Sequence, residues 1–60
     1  MQSAESMLQA AIELMESTAN MLRGMTMDPA IPAHAKEAMR SRIANLETSA
    51  QEAAAFLGLM

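Results

Sequence analysis

The side chains able to do acid–base or nucleophilic chemistry are few, and they do not converge in the sequence. His34 is the one histidine, and there is no cysteine. No serine near His34 stands in the G-x-S-x-G setting of a nucleophile. Glu13 and Glu16 are one helical turn apart, but the pattern puts them on a solvated face, which lacks the environment of a catalytic carboxylate. The sequence therefore predicts a protein that is not an enzyme and has no catalytic residues.

Two residue patterns could bind a metal or a cofactor. Met21, Met25, Met27 and His34 offer the thioether and imidazole ligands that suit Cu(I). Methionine is also the flexible filler of irregular cores, and we interpret these residues as packing. A di-metal centre in a helical bundle needs inward-facing Glu-x-x-His motifs, which the sequence lacks. Gly24 and Gly58 are too far apart to form a glycine-rich phosphate loop. We expect neither a metal nor a cofactor.

The basic residues are concentrated in the middle third of the chain, where they could bind phosphate. They are Arg23, Lys36, Arg40 and Arg42, joined by His34. The net charge of −3 argues against a general nucleic-acid binder, and no aromatic side chain accompanies the group for base stacking. In the other interpretation, an arginine of this group pairs with Glu16 or Glu37 across the molecule. A nucleic-acid-binding regulator is kept as an alternative function.

The composition determines which elements must carry these side chains. Apolar residues make up 52% of the chain, chiefly alanine, methionine and leucine, and there is no valine, tryptophan or tyrosine. Because unbranched side chains lose little rotamer freedom in a helix, we predict an all-α fold. A chain of 60 residues makes one domain at most, which we take as 1–60. No stretch approaches the ~20 apolar residues of a membrane helix, and the N-terminus lacks a signal-like pattern. These features favour a cytoplasmic protein without a membrane partner.

Two helices are predicted, with one break between them. The hydroxyl of Ser3 can accept an early backbone N–H and so cap the first helix. Gly24 is a natural stop. Pro29 and Pro32 prevent one continuous helix. The predicted elements are therefore helix 1 at about 3–24, a Pro-containing loop at about 25–31 and helix 2 at about 32–57.

A short loop between two helices of similar length predicts an antiparallel hairpin. Helix 2 carries a heptad seam with alternating spacings of four and three, which suits left-handed packing. The members of this seam are Met39, Ile43, Leu46, Ala50, Ala53, Leu57 and Met60. We predict that it packs against the seam of helix 1 that contains Met7, Ala11, Leu14, Thr18 and Met21. This pairing brings Leu14 near Leu46. One turn away, Ala11 meets Ala50.

Helix 1 has more apolar surface than one partner helix can cover. Its apolar arc is about 200° wide, so a second seam lies beside the first. We assign the dimer interface to this second seam, which consists of Leu8, Ile12, Met15, Ala19 and Leu22. Burying a large aliphatic side chain contributes ~1.5–3 kcal/mol, and a hairpin this small needs such help. The sequence predicts two hairpins forming a four-helix bundle with two-fold symmetry and leaves their relative orientation open.

The function predicted from this pattern is protein binding. We expect a dimeric helical hairpin that binds and regulates or inhibits a partner protein by occluding its surface. Arginine and aromatic side chains dominate interface hot spots, so we assign the partner surface to Arg40, Arg42, Phe56 and Leu59. Phe56 is the one aromatic residue and could instead pack within the homodimer. A purely structural self-assembly unit is a further alternative.

Overall fold

The computed structural model describes residues 3–59 of the chain and has two helices in this range. Helix α1 covers Ala4–Met25 and helix α2 covers Ala33–Leu59. The two helices pack against each other as a hairpin, and the described residues contain no strand. The principal extents are 43 × 19 × 12 Å, so the molecule is one helix thick. The predicted all-α hairpin is therefore confirmed.

Helix α1 begins as the sequence predicts and ends one residue later than predicted. The hydroxyl of Ser3 accepts a hydrogen bond from the backbone N–H of Ser6 at 3.1 Å, which caps the helix. At the other end, Thr26 is the C-cap and its N–H donates to the carbonyl of Leu22 at 3.1 Å. Gly24 lies inside the last turn and does not have a positive φ. Gly24, the predicted stop, therefore lies inside the helix, which ends one residue later.

The linker of residues 26–32 is a series of turns held by Asp28 and Pro32. One carboxylate oxygen of Asp28 accepts from the N–H of Ala30 at 2.9 Å, and its carbonyl accepts from the N–H of Ile31 at 3.2 Å. The carbonyl of Pro32 accepts from two N–H groups of the first turn of α2, at 3.1 Å each. Helix α2 then continues through Gly58 to its last described residue. It therefore runs beyond the predicted end at residue 57.

The core of the hairpin is small. Among the described residues, only Ala19, Ile43 and Ala50 are buried. The predicted seam of α2 is the less exposed side of that helix, because its described members are all buried or half-buried. These members are Met39, Ile43, Leu46, Ala50, Ala53 and Leu57. Met60, which the pattern adds to the seam, lies outside the described residues.

The sequence assigns one seam of α1 to α2 and the other to a dimer, and the structure packs the second of these against α2. The seam assigned to a dimer faces α2 within the chain, since its members are half-buried or, for Ala19, buried. We call it the inner seam, and it consists of Leu8, Ile12, Met15, Ala19 and Leu22. The side chains predicted to face α2 are instead exposed: Met7 is 57% exposed, Leu14 68% and Met21 60%. The inner seam therefore cannot meet a second copy without displacing α2.

The register of the hairpin differs from the predicted one by eight residues of α1. Ala19 and Ala50 line one cleft together, and Leu22 lines another with Leu46. The pattern instead predicts that Ala11 lies opposite Ala50. Ala11 is eight residues before Ala19, a distance of about 12 Å along α1 at 1.5 Å per residue. The physical reason is the linker, which the prolines keep from turning tightly. It runs beside the first turns of α2, so α2 starts well beyond the end of α1.

Candidate interaction surfaces

The hairpin has two broad sides, and one of them is apolar. A cleft on this side is lined by Thr18 and Leu22 of α1 and by Arg42 and Ser49, among others, of α2. Leu14 and Met21 lie one turn on either side of Thr18, and Phe56 lies two turns beyond Ser49 on the same flank. Large exposed apolar side chains thus line the α1 half of this side, whereas the α2 half carries polar residues beside Phe56. We call it the apolar face and define it by Met7, Leu14, Met21 and Phe56, all more than half exposed.

The opposite side is polar and holds an ion pair between the helices. A guanidinium nitrogen of Arg23 lies 2.7 Å from a carboxylate oxygen of Glu47, and the same side chain donates to the amide oxygen of Asn20 at 3.3 Å. Glu16 and Gln51 line the same cleft. The sequence predicts an ion pair across the hairpin, and one is present. The shifted register gives Arg23 the partner Glu47, where the pattern had suggested Glu16 or Glu37.

The third surface is the loop end, which we define as residues 26–42. Counting from the facing pair Ala19 and Ala50, the end of α1 lies level with about residue 44 of α2. The first turns of α2 are therefore accompanied by the linker alone. Ile31 and Met39 are half-buried there. Met27 is 79% exposed in the linker. The loop end thus combines two half-buried apolar side chains with an exposed methionine and three basic side chains, Lys36, Arg40 and Arg42.

Two of the four basic side chains are held in ion pairs among the described residues. Arg23 pairs with Glu47, and Arg40 pairs with Glu37 one turn away at 2.8 Å. Both pairs are largely exposed, so each contributes little to stability. They do offset part of the positive charge that a nucleic-acid backbone would attract. The described part of the chain therefore has a weaker basic patch than the residue count suggests.

The four residues assigned to a partner do not form one surface. Residues two apart on a helix point in nearly opposite directions, so Arg40 and Arg42 lie on different sides of α2. Arg42 lines the cleft of the apolar face and Arg40 binds Glu37. Phe56 is 64% exposed on the flank of Arg42, about 21 Å further along the helix. Leu59 is 84% exposed in the last turn. The structure therefore places Arg42 and Phe56 on one flank of α2 and Arg40 on another.

The seam of α1 that the sequence predicts to face α2 runs the whole length of the helix and is left uncovered by it. We call it the outer seam, and its members are Ala4, Met7, Ala11, Leu14, Thr18, Met21 and Met25. Their spacing alternates three and four from one end of α1 to the other, as in a coiled coil. Periodicity distinguishes this seam from the inner seam, but it does not say which of the two faces α2, because both lie side by side on the same apolar arc.

The described residues hold no cluster of three histidine, aspartate or glutamate side chains that could bind a metal ion. Neither of the two described helices is long and apolar enough to cross a membrane. No family model matches the chain, and no curated protein or solved structure is significantly similar to it.

Proposed function

We propose that this chain is a small, non-enzymatic interaction protein of the cytoplasm. It works as a dimer of helical hairpins, packed as a four-helix bundle, and it binds a partner protein. Binding regulates or inhibits the partner, because the rigid helical surface occludes a functional site on it. No ligand other than protein is needed for this activity.

One observation carries the proposal: large apolar side chains are exposed where a solitary chain would bury them. Leu14 and Phe56 are both more than 60% exposed on the same side of the hairpin. Contiguous exposed apolar surface on a small protein marks a place where another protein binds. A hairpin with three buried residues in its described part also lacks the core that a chain of this size needs to stand alone.

The proposed partner surface is the loop end. Met27 is almost fully open there at 79% exposure, and methionine and arginine are enriched in the centres of protein interfaces. Arg42 lies two turns into α2 on the flank of the apolar face. A dimer built on the apolar face of α1 leaves the projecting start of α2 free. Self-association and partner binding therefore use different residues.

The test is capture of the partner with matched variants. A tagged chain is purified from its source cells together with bound protein, and the complex is then reconstituted from the separate components. Replacing Met27→Ser with Arg42→Ala is expected to weaken binding at least about tenfold, since a lost hot-spot pair costs more than about 1.4 kcal/mol. The control Thr48→Ala with Gln51→Ala changes two exposed side chains of α2 outside this surface and should leave binding unchanged.

Three results would contradict the proposal. If no protein is retained in a fixed ratio to the chain, the structural self-assembly alternative takes its place. If the loop-end variant binds as tightly as the unchanged chain, the assigned surface is wrong. If the retained component is a nucleic acid whose binding falls steeply between low and high salt, phosphate contacts carry it and the chain is a nucleic-acid-binding regulator.

A further inference from the structure

We propose that the apolar face is covered by a second copy of this chain, with the two α1 helices packed antiparallel along their outer seams. This inference rests on the self-association in the proposed function and adds the face and the orientation. Three features of the hairpin support it: its excess surface, the sizes of the outer-seam side chains and the position of Phe56.

The exposed area of the hairpin matches what a stable dimer has to bury. A compact folded chain of 6.4 kDa exposes about 3,800 Å², whereas this chain exposes 4511 Å². The excess is roughly 700 Å² for one chain, or about 1,400 Å² for a pair. Specific protein interfaces of standard size bury about 1,200–2,000 Å² in total. One second copy is therefore sufficient to cover the excess.

Side-chain sizes along the outer seam select the antiparallel orientation. Small residues (Ala4, Ala11, Thr18) alternate with large ones (Met7, Leu14, Met21). In a parallel pair each layer would set like against like, so large layers would crowd and small layers would leave voids. In an antiparallel pair that centres between residues 12 and 13, Ala11 faces Leu14 of the second copy. The same register sets Thr18 opposite Met7, so every layer combines one small and one large side chain.

Thr18 can take part in this seam although it is polar. Its hydroxyl donates to the carbonyl of Leu14 in its own helix at 2.8 Å. The donor is therefore already satisfied, and covering the residue leaves no unpaired hydrogen-bond donor behind. What Thr18 presents to a second copy is its methyl group.

The position of Phe56 agrees with the same axis. Phe56 is six residues beyond Ala50, so in the antiparallel register it lies level with residue 13, six residues before Ala19. The centre of the outer seam and the one aromatic side chain are therefore at the same height on the apolar face. A two-fold axis through this height puts both copies of Phe56 at the middle of the closed bundle, where a large aromatic side chain is best covered.

The first experiment tests the face by sedimentation equilibrium of the full chain. The unchanged chain is expected to be a dimer at micromolar concentration. Leu14→Glu should weaken dimerisation at least tenfold, because it buries a charge in the seam. The control Gln9→Glu adds the same charge at an exposed position outside the seam and should not. Circular dichroism at the same concentrations shows whether each variant keeps its helices.

The second experiment tests the orientation by disulfide trapping, which has no background because the chain lacks cysteine. Met7→Cys and Thr18→Cys are made as separate variants, mixed and oxidised. Antiparallel packing predicts a disulfide between the two different variants. Parallel packing would keep these positions about 16 Å apart along the helix, beyond the about 7 Å that a disulfide spans, and would join each variant to itself.

The outcomes separate this inference from the proposed function. If Leu14→Glu and the unchanged chain dimerise equally, or if each cysteine variant joins only to itself, the inference is wrong and partner binding at the loop end is untouched. If the unchanged chain is a folded monomer, the dimer of the proposed function is wrong as well. If the dimer behaves as expected but loop-end variants keep the partner, only the partner surface is wrong.

Discussion

Helix α1 carries two apolar seams that are offset by a single residue, and the two have opposite fates. The inner seam packs against α2, and its Ala19 is 2% exposed. The outer seam has a spacing of equal regularity, yet its Leu14 is 68% exposed. Apolar periodicity thus says how much surface a helix has to bury. It does not say which part is buried within the chain.

The pairing of Ala19 with Ala50 and the path of the linker account for the different fates of the two seams. Ala19 of the inner seam lies opposite Ala50, so the two helices can approach closely at this level. The linker fixes the height at which α2 passes α1 and thereby decides which residues can meet. Substitutions on each seam test which of the two forms the core of the hairpin.

The largest loss of stability is expected from Ile43→Ala. Ile43 is the one large side chain among the buried residues of the described chain. Removing it should lower the free energy of unfolding by about 2–4 kcal/mol, because transfer energy is lost and a cavity remains. That is most of what so small a core supplies, so thermal or urea denaturation should show a largely unfolded chain. Met21→Ala is the control on the outer seam and should cost less than half as much. Equal losses would show that the inner seam is not the core.

An intermediate loss is expected from Ala19→Leu. The site faces Ala50 with almost no exposed area, so a larger side chain has to push the helices apart. The expected cost is about 1–3 kcal/mol, measured as a lower midpoint in urea denaturation. Ala44→Leu makes the same exchange at an exposed position of α2 and should leave the midpoint nearly unchanged. An Ala19→Leu chain as stable as the unchanged one would contradict the close approach at this level.

The smallest effect is expected for the ion pair on the polar side. Arg23 and Glu47 are each about half exposed, so water and salt screen their attraction. A double-mutant cycle with Arg23→Ala and Glu47→Ala should give a coupling energy of about 0.2–1 kcal/mol that decreases with salt. The cycle also tests the register. If the coupling is absent at low salt while Arg23→Ala couples to Glu37→Ala, the register predicted from the sequence pattern is the right one.

Helix bounds were the most predictable part of the fold. The cap of Ser3 and the break at Pro29 and Pro32 act on the nearest few backbone groups, so their effect can be derived without knowing the rest of the chain. The α2 seam was predictable for a related reason. Its helix has one apolar stripe, so Ile43 and Leu46 had no competing face to share.

The register and the choice of seam could not be predicted, because both depend on the path of the linker. A tight turn between the helices would set Leu14 opposite Leu46. In the structure, several turns of α2 instead precede the part of that helix that lies beside α1. The predicted partner residues Arg40 and Arg42 lie on different sides of α2 for a simpler reason. Residues close in sequence were grouped together, although positions 40 and 42 point to different sides of a helix.

The shortest dimension of the hairpin, 12 Å, has a consequence for its motions. A layer one helix thick gives most backbone amides water on at least one side. Their hydrogen bonds can then open one turn at a time, without the whole hairpin coming apart. We therefore expect long-lived amide hydrogens in the few turns around Ala19, Ile43 and Ala50, the buried residues of the described chain. In a layer of this thickness, the lifetime of each amide hydrogen therefore records how well its own side of the helix is covered.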